Sequence, residues 1–208
     1  MSLDDVVDEL VFQYNTRLDK NRPLIAAIDG LSGAGKTTLV KEMEQELSKT
    51  HNISVIHIDD HIVEKDKRYN TGYEEWVEYY VLQWDAEKIV DELFAKIHNY
   101  SMEIMLPFYD KSTDMTMTKK VAIEANSIIL IEGIFLQREE WHSFYDYVVF
   151  IDCPEVVRYK RVLNRDLYIG DSDAIINKYK TRYWPAEDYY MKKVQPIKKA
   201  DLVVHSNR

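Results

Sequence analysis

Residues 30–37 read Gly30-Leu31-Ser32-Gly33-Ala34-Gly35-Lys36-Thr37 and fill the pattern G-x-x-x-x-G-K-[ST]. This stretch constrains the fold more than any other in the chain. Its glycines let the backbone bend until successive N–H groups converge on phosphate oxygens. That geometry needs a strand leading in and a helix leading out, with the helix's positive end toward the anion. Both flanks comply. An apolar run at 24–29 precedes the loop, and 37–48 follows with Leu39, Val40, Met43 and Leu47 at helical spacing. In such a loop Lys36 reaches the β- and γ-phosphates and the Thr37 hydroxyl holds Mg²⁺. The expected phosphate-binding set is Gly30, Ser32, Gly33, Ala34, Gly35, Lys36, Thr37 and Thr38. The motif points to a nucleotide and leaves open what becomes of it.

Four further apolar runs, at 53–59, 127–132, 147–152 and 201–205, have the near-continuous hydrophobicity of parallel strands covered on both faces. Helical patterns at 86–97, 154–167 and 173–183 separate them. Strands alternating with helices predict a three-layer α/β/α fold around a parallel sheet. Segments 103–107 and 115–121, around a polar turn, predict a small hairpin outside that sheet. No repeat or linker interrupts the pattern, so 1–208 is expected to form one domain.

A net charge of −9 argues against non-specific nucleic-acid or membrane-surface binding, so an anionic ligand must be held by local groups. The lone cysteine, Cys153, excludes a disulfide within the chain. No apolar stretch is long enough to span a bilayer and the N-terminus lacks a signal-peptide pattern, so a cytoplasmic location is expected. Homo-oligomerisation is left open.

In open α/β sheets ligands bind beyond the carboxyl ends of the strands, and three runs end there in acids: Asp29, Asp59 and Glu132. Asp59 is placed to accept a proton from an acceptor hydroxyl, with Asp60 beside it. Glu132 is placed to hold Mg²⁺ through water. Arg158, Arg161 and Arg165, at i, i+3 and i+7, share one helix face. That face either closes over transferring phosphates as a lid, at about 158–172, or is a solvated face paired with Glu155 and Asp166. Aromatics between Tyr69 and Trp84 line a pocket for a flat ring or form core. His57 reads as a core or edge histidine. Lys65, Lys67 and Arg68 are either a solvated charged loop or a cationic site near Asp59.

Taken together, these residues resemble the uridine kinase family, within a wider group that includes phosphoribulokinase and nicotinamide riboside kinase. The likeness spans roughly 23–204. It rests on the phosphate loop, Ile58-Asp59-Asp60, Pro107-Phe108-Tyr109-Asp110, Ile131-Glu132-Gly133-Ile134, the helix Arg161-Val162-Leu163-Asn164-Arg165-Asp166 and the run Lys198-Lys199-Ala200-Asp201. The resemblance implies a P-loop NTPase fold with a five-stranded parallel sheet. It implies ATP- and Mg²⁺-dependent phosphorylation of a small-molecule hydroxyl, often on a nucleoside. It makes Asp59 the catalytic base, puts Tyr109 and Arg158 on the substrate side, and brings Arg161 and Arg165 onto the transferring phosphate. The sequence departs from the family pattern on the acceptor side. His61 and Ile62 replace aromatics after the aspartate, Ile169-Gly170 replaces an Arg-Gly pair, and Glu78-Tyr79-Tyr80-Val81 carries no aspartate in register. A pyridine riboside, a pantothenate-like alcohol or a sugar phosphate therefore stand as alternative acceptors, beside a nucleotide-binding switch without transfer activity.

Overall fold

The computed structural model describes residues 2–17, 19 and 21–206. Its strands are β1 (Leu24–Gly30), β2 (Asn52–His57), β3 (Glu103–Asp110), β4 (Met115–Ala122), β5 (Ser127–Gly133), β6 (Tyr147–Asp152) and β7 (Leu202–His205). Five of them form one parallel sheet in the order β2-β5-β1-β6-β7, while β3 and β4 pair antiparallel as a separate hairpin. Central β1 has β5 on one side and β6 on the other, so a crevice opens at its carboxyl end, where the glycine-rich loop begins.

The alternation of β1 side chains separates two packed layers. Leu24, Ala26 and Ile28 face α1 (Leu3–Thr16) and α2 (Lys36–Leu47), meeting Val6, Leu10, Val40 and Met43. Ile25 and Ala27 face the opposite layer. There α5 (Ala86–Ile89) passes through a π-helical stretch, Val90–Phe94, into α6 (Ala95–His98), and α9 (Trp184–Lys193) adds Ala186 and Tyr190. The result is the expected α/β/α sandwich.

The second strand stops two residues short of the expected 59. Ile58 is fully buried, and its side chain fills the space that a Cβ on Gly133 would occupy, only 2.1 Å away. Trp84 Nε1 donates to the Ile58 carbonyl at 2.9 Å. These contacts turn the chain into a 3₁₀ turn, Ile58–His61, which carries Asp59 over the end of β5. The run expected at 154–167 forms α7 (Glu155–Arg165), and that at 173–183 forms α8 (Ser172–Lys178) with a π-helical continuation, Tyr179–Tyr183. The hairpin extends beyond its expected ends to Asp110 and Ala122.

α1 and α9 lie outside the helices expected from the sequence. The start of α1 carries a capping box, in which Asp5 N donates to Ser2 Oγ at 3.2 Å and Ser2 N to Asp5 Oδ2 at 2.7 Å. Among the described residues no helix is long and apolar enough to cross a membrane.

Candidate active site

The glycine-rich loop divides into a structural half and a ligand-facing half. Gly33 and Gly35 have φ of +76° and +101°, a left-handed backbone that favours glycine. A Cβ on Gly33 would also lie 2.9 Å from the Arg158 carbonyl oxygen, so α7 rests directly on the loop. Glu187 on α9 accepts from Ser32 N and from Arg158 Nη1, both at 2.8 Å, and Arg158 donates to the carbonyls of Ser32 and Cys153, each at 3.2 Å. Lys36 Nζ donates to the carbonyls of Gly30 at 2.9 Å and Leu31 at 3.2 Å.

A cavity of about 400 Å³ is lined by Gly33, Gly35, Lys36, Thr37 and Thr38, facing His57, Asp59, Glu132, Arg161 and Arg165. Three members of the expected phosphate set do not line it. Gly30 N donates to Asp29 Oδ1 at 2.8 Å, the Ser32 amide is taken by Glu187, and Ala34 is buried with its N–H on Leu31 O. Arg158, expected on the substrate side, clamps the loop from behind and lines neither this cavity nor the larger one described below. Arg161 Nη1 donates to Gly33 O at 2.7 Å.

The acids expected at the strand ends have three different environments. Asp29 is fully buried, where it accepts from Gln137 Nε2 at 3.1 Å and from the Tyr190 hydroxyl, and burial pushes its carboxyl up. It is a structural knot and not a solvated strand end. Glu132 Oε1 accepts from Thr37 Oγ1 at 3.3 Å, and Oε2 from His57 Nδ1 at 2.6 Å. Burial pushes the Glu132 carboxyl up, but His57 and Lys36 outweigh it and the net shift is downward. The Glu132 carboxylate in turn raises His57. His57 is thus a half-exposed member of the site and not a core residue. Asp59 is exposed at the cavity, with protein groups close around it. Lost solvation pushes its carboxyl up against the pull of Lys36, Lys111 and Arg165.

A second cavity, of about 860 Å³, adjoins the first. The 3₁₀ turn, α3 (Lys65–Arg68), the hairpin turn and the segment after α7 enclose it. Tyr69, Tyr79, Tyr109, Tyr168, Tyr179 and Tyr183 give it aromatic walls, and Ile62 and Ile134 add apolar surface. Of the aromatics between 69 and 84, Tyr69 and Tyr79 line this cavity, whereas Trp84 is core. Tyr109 donates its hydroxyl to Asp114 Oδ1 at 2.8 Å. His61 is turned away, with Nδ1 on the Pro107 carbonyl at 2.6 Å and its ring against Phe108. Lys36, Asp59 and Arg165 line both cavities.

The model of the phosphoribulokinase / uridine kinase family matches residues 25–208. The chain belongs to that family. It is 28% identical over 192 residues to a uridine kinase of Lactobacillus helveticus, covering 88% of this chain and 86% of that protein. A solved structure of a possible uridine kinase from Bacillus stearothermophilus is 42% identical, with a TM-score of 0.78 over 98% of this chain and 99% of that one. A putative fructose transport system kinase from Silicibacter shares the fold at 18% identity, with a TM-score of 0.80 over 98% of this chain and 99% of that one.

Two of the positions at which this P-loop kinase departs from the uridine kinase pattern, Ile169 and Glu78, have defined structural partners. Ile169 packs with Val162 and Ile175 in a small apolar cluster between α7 and α8. Arg165 at the end of α7 donates to both Asp166 oxygens, at 2.7 and 3.1 Å, and to the Tyr179 hydroxyl at 3.3 Å. Its side chain is nevertheless 59% exposed, so the guanidinium still faces the cavities. Glu78 accepts from the amide and hydroxyl of Thr71, at 2.8 and 2.9 Å, and from Arg182 Nη1 at 3.0 Å. Sequence reasoning missed Arg182, Glu187 and Lys111. Only Lys111, in the polar hairpin turn, carried a local signal.

Proposed function

We propose that the protein transfers the γ-phosphoryl group of ATP, with Mg²⁺, to a hydroxyl of a small molecule in the larger cavity. The observation that carries this reading is the overlap of the two cavities at Lys36, Asp59 and Arg165. A phosphate in one and a hydroxyl in the other would meet between a cation that stabilises charge and a carboxylate that accepts a proton.

The amides of Gly33 and of residues 35–38, with the Lys36 ammonium, hold the phosphates. Thr37 Oγ1 and a Glu132 oxygen stand 3.3 Å apart beside the loop. They are hard oxygen donors and few in number, which suits a cation that keeps waters and phosphate oxygens as its other ligands. Thr37 would bind Mg²⁺ directly and Glu132 through water, and the bound ion neutralises phosphate charge. The acceptor oxygen bonds to the γ-phosphorus as the bond to the β–γ bridging oxygen breaks. Its proton goes to an Asp59 oxygen and ADP leaves. Arg161 and Arg165 balance the charge that develops on the transferring group, while Arg158 fixes the loop from behind.

The uridine kinase relatives make a nucleoside the first acceptor to test, and the tyrosine walls suit a flat ring. The test is ADP release from ATP and Mg²⁺ across nucleosides, pyridine ribosides, pantothenate and sugar phosphates, with Lys36→Ala as the control. Stimulation by one class, lost in Lys36→Ala, supports the reading. Tight ATP binding with slow, acceptor-independent hydrolysis would mark a nucleotide-binding switch instead.

A further inference from the structure

Three arginines are buried among the described residues: Arg68, Arg138 and Arg182. Arg138 pairs with Glu140 at 2.9 Å and Arg182 with Glu78 at 3.0 Å. Arg68 is 5% exposed and, among the described residues, has no carboxylate within ion-pair distance. Its Nε donates to the Val63 carbonyl at 2.8 Å. Its guanidinium carbon lies 4.9 Å from the Tyr69 ring centre and 5.2 Å from that of Tyr109. The two rings offset part of the cost of burying this charge. They do not supply the bidentate oxygen pair that a guanidinium fork fits.

Arg68 faces the larger cavity, as do Lys65 and Lys111 at its mouth. Neither lysine has an ion pair among the described residues, in contrast to Lys67 next to them, which pairs with Glu64 at 2.8 Å. The acids nearby offset only part of this charge. Asp114, which accepts from the Tyr109 hydroxyl and from Lys65 N, attracts Lys65 and Arg68 without an ion-pair contact, Asp166 is engaged by Arg165, and Asp66 lies at the exposed mouth. A cluster of unpaired cations in the acceptor cavity of a chain carrying −9 overall is a local field for a negative group.

Resting on the phosphotransfer reading above, we propose that the acceptor carries a phosphate or carboxylate besides the hydroxyl that is phosphorylated, and that Arg68, aided by Lys111 and Lys65, binds it. A neutral acceptor that filled the cavity would strip water from Arg68 and return no partner, which works against binding. An anionic acceptor supplies the missing oxygens, and the Tyr69 and Tyr109 rings beside the guanidinium help to position it. Arg182 Nη2 donates to the Arg68 carbonyl at 3.0 Å and fixes the backbone from which it projects.

The experiment measures ADP release and acceptor KM for matched probes, ribose against ribose 5-phosphate and glycerol against glycerate, in the wild type, Arg68→Gln and Lys111→Gln. The expected result is a preference for one charged member, the phosphate and carboxylate arms deciding which. Arg68→Gln then raises its KM about 10- to 100-fold with kcat nearly kept, as for a lost charge-assisted contact. The exposed Lys111→Gln raises it several-fold, and Arg68→Gln leaves the neutral member unmoved. Equal or better use of the neutral probes, with Arg68→Gln altering both members alike, overturns the anion site and leaves the kinase reading standing. If no probe stimulates ADP release, thermal shifts with the charged probes decide. Stabilisation that Arg68→Gln abolishes keeps the anion site while the kinase reading fails, and no stabilisation by any charged probe overturns the site.

Discussion

Replacing Glu78 by Gln tests the reading that a buried ion pair holds the acceptor wall in place. Glu78 is 2% exposed and Arg182 fully buried. In Glu78→Gln the retained oxygen still accepts from Thr71, but an amide NH₂ now faces the Arg182 guanidinium. Arg182 keeps the carbonyls of Glu75 and Arg68 and the ring faces of Tyr69, 4.0 Å away, and Tyr79, 5.6 Å away, while its Nε has no hydrogen-bond partner among the described residues. Breaking one side of a buried pair costs roughly 3–5 kcal/mol. Glu78 lies just under the surface with thin cover, which places the loss near the low end, about 3 kcal/mol. For a chain of this size that is a fall in Tm of about 6–12 °C. Arg182→Met should cost less, since Glu78 keeps both Thr71 bonds, and the double variant should lose less than the sum of the two. The pH dependence has a definite sign. Burial pushes the Glu78 carboxyl up, but the Thr71 bonds and Arg182 outweigh it and hold it below 4.5. A lowered acid contributes stability that is present above the unfolded value and lost as pH falls through the folded one. The gap between wild type and Glu78→Gln should therefore be full at neutral pH and shrink below about pH 4.5. Thermal unfolding across pH reads all of this. A fall under 2 °C at neutral pH, or strict additivity with Arg182→Met, would refute the pair as a support.

Asp59→Asn should lower kcat by about 10²- to 10⁴-fold with ATP affinity little changed. Because crowding raises the Asp59 carboxyl, the wild-type activity should fall with decreasing pH at a point above 3.8, and that limb should be absent from the residual rate of the variant. Glu132→Gln should weaken apparent Mg²⁺ affinity in the kinetic assay by about 10- to 100-fold, the range for a group that acts on a metal through a bound ligand. Gly33→Ala should abolish ATP binding in a titration while the chain still folds. A Cβ there meets the Arg158 carbonyl at 2.9 Å and Val162 at 3.0 Å in a backbone conformation that suits glycine.

The proposed nucleotide side of the site could be sketched from the sequence because such chemistry is local. In that reading backbone amides, one lysine and one threonine at fixed spacing do the work, and the flanking strand and helix are announced by apolar periodicity. Glu132 was legible because a carboxylate ending an apolar strand has few places to be. The larger cavity is assembled from distant segments, and no window of sequence shows that Arg68 lacks a carboxylate at ion-pair distance while Arg182 has one. The second strand's early end was hidden for the same reason, since the cause is Ile58 filling the space left by Gly133 across the sheet. Arg158, Arg161 and Arg165 do share a helix face, but only the fold shows that Arg158 is engaged by Glu187 and that Arg165 remains open to both cavities.

The helix expected at 173–183 reaches Arg182, but no expected element covered 184–190, and this stretch joins the two halves of the site. Arg182 holds the backbone carbonyl of Arg68 and the carboxylate of Glu78, on the proposed acceptor side. One turn and a half later Glu187 fixes Ser32 and Arg158, on the nucleotide side. Tyr190 then anchors to Asp29 at the end of β1. Three polar side chains from one continuous helical run therefore set the positions of the acceptor wall, the phosphate loop and the strand that bears the loop. Transfer between two substrates needs their reacting atoms held in register within a fraction of an ångström. A shared support achieves this better than two independent ones, because a displacement of the run moves both walls together. Loosening it at Arg182 or at Glu187 should accordingly lower kcat through misalignment even where each substrate still binds.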